Sequence, residues 1–107
     1  MELSDHHLLF VGFKLDGSLK HQLRSLSGPD AKYVSTDGSA FLRLCTRDKD
    51  LYVGKVIDDR LTTDRVEDVR RNVLSIVTRL CPDTRLPTKL EIWACETDTL
   101  VGERSDP

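Results

Sequence analysis

The chain has 107 residues, 38% hydrophobic and 32% charged, with a formal net charge of −2. That length suits one domain with one core and leaves little material for a separate catalytic lobe. The charge balance excludes a global pull toward nucleic acid or anionic lipid, and no apolar run approaches the roughly 18 residues needed to span a bilayer.

The first ten residues, MELSDHHLLF, open acidic and lack the basic region, apolar stretch and cleavage site of a signal peptide. Residues 7–15 are apolar on both alternating sets, with Leu9, Val11, Phe13 and Leu15 on one and Leu8 and Phe10 on the other. Such a strand is expected at the centre of its sheet. Asp16 or Ser18 is placed to cap a following helix, whose stripe is Leu19, Leu23 and Leu26 and whose end is Gly28-Pro29. Residues 31–35 read as a short edge strand or a loop. Residues 41–46 and 51–57 are strand-like, and the polar tip Arg47-Asp48-Lys49-Asp50 between them predicts an antiparallel hairpin with a solvated turn.

The strongest pattern lies at 63–81. Val66, Val69, Val73, Ile76, Val77 and Leu80 mark one helical face, Thr62 or Thr63 is the expected N-cap, and Pro82 ends the helix. Asp64, Glu67 and Asp68 suit the positive end of the helix dipole, and Arg79 suits the other. Arg65, Arg70, Arg71 and Arg79, with Arg85 just beyond, read as a basic but solvated flank largely neutralised by those acids, with docking of an acidic partner as the alternative. Residues 89–95 alternate Leu90, Ile92 and Ala94 against Glu91, Trp93 and Cys95, which predicts a final strand. Residues 97–107 are polar and without period, and are expected as a flexible tail to a single domain over 1–96.

The order β-α-β-β-α-β predicts the α+β ferredoxin-like fold: a four-stranded antiparallel sheet with two helices on one face. The first strand then lies between 51–57 and 89–95, and one sheet face is open. Phe10, Phe41, Tyr52 and Trp93 are expected on that open face, which would make it more apolar than a monomer normally exposes. Leu9-Phe10-Val11-Gly12 resembles the first half of the RNP2 hexamer of RNA-recognition modules, and residues 38–44 loosely resemble their RNP1 octamer. That resemblance implies stacking of single-stranded bases on sheet aromatics. Phe13-Lys14, Asp37 and Ser39 all depart from the family's pattern, and no membership is claimed.

No catalytic constellation emerges. His6 and His7 precede the first strand and point apart on an extended chain. His21 lies off the Leu19-Leu23-Leu26 stripe. Asp58-Asp59 with Asp64 lacks the spacing of a calcium loop and reads as solvating and capping. Cys45, Cys81 and Cys95 form no zinc set and no CxxC, so they read as free thiols in a reducing, cytoplasmic setting. Neither a cofactor nor a metal is expected. The expected function is non-enzymatic: association, with a second copy or another protein, through the open sheet face. The alternatives are single-stranded nucleic-acid binding on the same aromatics, and an enzyme whose site forms only at a dimer interface.

Overall fold

The computed structural model describes residues 8–36, 41–57 and 62–105. Readings that fell on His6-His7, on Asp58-Asp59 and on residues 37–40 lie outside them. The strands are β1 (Leu9–Lys14), β2 (Val34–Ser35), β3 (Leu42–Arg47), β4 (Asp50–Ile57), β5 (Lys89–Ala94) and β6 (Thr99–Ser105). The helices are α1 (Gly17–Arg24) and α2 (Thr63–Leu80), with a short 3₁₀ helix at Gly28–Lys32.

The expected ferredoxin-like four-stranded antiparallel sheet is not what forms. One six-stranded mixed sheet runs β2-β3-β4-β1-β5-β6 and curls into a half-barrel. It is mixed because β2 pairs with β3 in parallel, through Val34 opposite Leu42. Residues 99–105, expected within a flexible tail, form β6 antiparallel to β5. A register shift between Ile92 and Trp93 leaves Val101 as an extra residue on β6, and such a bulge breaks the alternation by which a strand is recognised. The inner pairings match expectation: β3 with β4 antiparallel, and β1 between β4 and β5.

Local chemistry sets the element ends. The Asp16 side chain accepts from Leu19 N at 2.9 Å and caps α1. Thr62 Oγ1 accepts from Arg65 N at 3.1 Å and caps α2. Val66, Val69, Val73 and Val77 are buried, whereas Ile76 and Leu80 are only half-buried and flank the stripe. The helices pack against one sheet face, where Val11, Phe13, Leu42, Leu44, Leu51, Val53, Ile57, Leu90 and Ile92 complete the main core. The hairpin turn is tighter than expected. Only Asp48 and Lys49 lie between the strands, and Asp48 takes φ 54°, in the left-handed region that Asp tolerates.

Candidate functional site: the concave sheet face

Alternate residues of a strand share a face. Opposite the helices, β1 presents Phe10 and Gly12, β4 presents Tyr52 and Gly54, β3 presents Arg43, Cys45 and Arg47, and β5 presents Glu91 and Trp93. Phe10 and Tyr52 are buried, at 0% and 5% exposure, yet stand apart from the main core. The face expected to be open is filled by its own side chains.

The filling depends on two glycines. Gly12 and Gly54 stand opposite each other at the middle of the β1–β4 ladder. A methyl group on Gly54 would meet the Val11 carbonyl oxygen and lie 2.5 Å from the Gly12 Cα. One on Gly12 would lie 2.8 Å from the Gly54 Cα and 2.9 Å from Phe10 Cε2. The backbones therefore approach more closely than any side chain allows, and the Phe10 ring occupies the vacated space.

The curl brings distant strands together. β4 and β1 lie between β3 and β5, so a flat sheet would hold β3 and β5 roughly 14 Å apart with side chains standing perpendicular to it. Instead the Arg47 guanidinium lies 4.5 Å from the Trp93 ring centroid and pairs with Asp98 in the β5–β6 turn. Tyr52 packs edge-on to Phe10 at 6.5 Å and to Trp93 at 6.2 Å. The buried Glu91 carboxylate accepts from Tyr52 OH at 3.2 Å and from Trp93 Nε1 at 3.0 Å. Burial first, and the Glu91 charge second, push the Tyr52 phenol up to about 12.

Arg47, read from sequence as part of a solvated tip, is thus a buried residue stacked on an indole, and only Asp48 and Lys49 form the exposed tip. The structure brings Phe10, Tyr52 and Trp93 together and leaves Phe41 apart. Phe41 is 60% exposed and stacks on Tyr33, with centroids 5.5 Å apart and ring planes at 28°. Sequence reasoning set Glu91 on the Trp93 side without giving it a role, and missed Arg47 and Gly54 as members of this face. The available signal was a glycine in the interior of each of two apolar strands.

Apolar surface remains at the rim. Leu100 pairs with Trp93, and the Leu8 carbonyl accepts from Cys95 N at 3.0 Å, so Leu8, Trp93 and Leu100 are neighbours or diagonal neighbours on this face. Leu8 is 43% exposed, Leu100 41% and the bulged Val101 52%, while Trp93 is half-buried. Charges of both signs lie along the same edge: Lys89 pairs with Glu103 at 2.8 Å and Asp98 pairs with Arg47, while Arg104, opposite Leu90, falls on the helix-side face. The edge of β6 itself is blunted by the bulge and by Glu103 and Arg104.

Among the described residues, no group of three His, Cys, Asp or Glu side chains is placed to hold a metal. A cleft of about 400 Å³ lies on the helix side, floored by Leu23, Val34, Leu44 and Leu51 and edged by Arg24, Ser35 and Thr46. It holds no pair of titratable groups arranged for proton transfer. No helix among the described residues is long and apolar enough to cross a membrane. Comparison with protein-family models, curated proteins and solved structures finds no match.

Proposed function

We propose that the chain is a cytoplasmic, non-enzymatic association domain that binds a second copy of itself through the rim of its concave sheet face. The observation that carries this reading is the exposed trio Leu8, Leu100 and Val101 beside a half-buried tryptophan. A tryptophan held in place by its neighbours offers large contact area at low entropic cost, and aliphatic residues around it exclude water. The bordering charges are already paired within the chain, Lys89 with Glu103 and Asp98 with Arg47, so these pairs leave no net charge that would repel a second copy or call for an oppositely charged partner.

Stacking of nucleobases draws less support, since Phe10 and Tyr52 are already buried and offer no open platform. The test is solution mass by sedimentation across a concentration series, for the native chain and for Leu100→Glu. Leu100 is the right residue to change. Trp93 also packs on Tyr52 and donates to Glu91, so replacing it would disturb the fold as well as the surface. Association that weakens in Leu100→Glu supports the reading, and a chain that stays monomeric throughout overturns it.

A further inference from the structure

The curl of the sheet also turns two thiols onto the same concave face. Cys45 lies two residues before Arg47 on β3, on the same face, and Cys95 lies two residues beyond Trp93. The hydrogen bond from Cys95 N to the Leu8 carbonyl continues the β1–β5 ladder, so Cys95 keeps the alternation of β5 and shares the face of Trp93. Three successive antiparallel pairings, β3–β4, β4–β1 and β1–β5, make β3 and β5 run in opposite directions. With Arg47 over Trp93, a step of two residues back along β3 meets a step of two residues forward along β5. Those steps arrive at Cys45 and Cys95.

Their surroundings agree with this placement. Both residues are half-buried, and burial pushes the Cys95 thiol up while neighbouring Cys45 pushes it further and Arg47 and Arg43 oppose the rise. Cys81 is different: it caps the C-terminus of α2 and is fully buried in the main core.

We propose that Cys45 and Cys95 are a redox pair that closes into an intramolecular disulfide across the concave face when the protein meets a low-molecular-weight disulfide such as oxidised glutathione. One protein thiolate attacks the glutathione disulfide, forming a mixed disulfide and releasing one glutathione thiolate. The second protein thiolate then attacks the protein-side sulfur of that mixed disulfide and releases the second glutathione thiolate. The protein loses two electrons, glutathione disulfide gains them, and the two protons go to the released thiolates. The bond would tie β3 to the end of β5, strands that share no ladder, and so fix the curl that buries Phe10 and Tyr52.

The experiment is to incubate the folded, full-length chain with oxidised glutathione, alkylate what remains, and read intact mass and peptide linkage. The expected product is a monomer lighter by two hydrogens with Cys45 joined to Cys95. Cys81→Ser should give the same linkage, and Cys45→Ser should stop at a glutathione adduct on Cys95. Reduction of the linked form should lower its thermal midpoint. Glutathione adducts that persist on both thiols, links that involve Cys81 or a second chain, or folded protein left unmodified would each overturn the pairing.

Discussion

Adding one methyl group at Gly54 should cost far more than adding one at Gly102, although both glycines lie within strands. At Gly54 the new Cβ meets only backbone: the Val11 carbonyl group and, at 2.5 Å, the Gly12 Cα. No side chain can rotate away, so β1 and β4 must part at the centre of the sheet and the curl must open. Overpacking of a filled interior costs about 1–3 kcal/mol, occasionally more, and a backbone clash belongs at the upper end. The gain from restricting the unfolded chain, about 0.4–1 kcal/mol, offsets little of it. We expect Gly54→Ala to lose at least ~2 kcal/mol, a fall in thermal midpoint of roughly 10 °C for a domain of this size. At Gly102 the nearest atom would be Ile92 Cδ1 at 3.7 Å, an ordinary contact, and Gly102→Ala should stay within about 0.5 kcal/mol of the native chain. Urea midpoints and calorimetry on the three proteins read both numbers. Equal effects of the two substitutions would refute the close approach of β1 and β4.

Three further outcomes are expected. Val73 is fully buried on α2, so Val73→Ala should destabilise by about 1–3 kcal/mol through lost burial and a residual void. Arg71 is exposed and pairs with Asp68 at 3.7 Å in solvent, so Arg71→Ala should cost within about 0.5 kcal/mol, both read as urea midpoints. Because the Tyr52 phenol is raised from 10.0 to about 12 in the folded chain, the folded state holds this proton longer than the unfolded state. Its stabilising share is complete below pH 10 and is lost as pH rises through 12, so Tyr52→Phe should flatten the alkaline fall in stability over that window. A parallel decline in both proteins would show that Tyr52 is not the group responsible.

What could be read from the residues was whatever repeats locally. The α2 stripe repeats Val66, Val69, Val73 and Val77 at helical spacing, and all four are buried. The two-sided apolar character of β1 marked its central position, and the alternation of β5 separated Ile92 from Trp93. The curl was not legible, because it rests on Gly12 meeting Gly54, far along the chain but directly opposite in register, and either glycine alone is unremarkable in composition. Arg47 read as solvated because a charge beside a turn usually is. Its burial follows from a Trp93 that only the curled sheet brings within reach. The bulge at Val101 hid β6, and β2, two residues long, carries no period at all. For the candidate site, the grouping of Phe10, Tyr52 and Trp93 on one face was accessible from alternation, whereas their mutual burial was a property of the closed sheet.

Sedimentation equilibrium of the native chain and of Leu100→Glu, over the same range of concentrations, tests the association reading most directly. The apolar rim predicts a native mass that climbs toward twice the monomer as concentration rises, and a Leu100→Glu mass that stays near the monomer with its thermal midpoint unchanged. A native chain that remains monomeric at every concentration, or a variant that associates as well as the native chain, would contradict it.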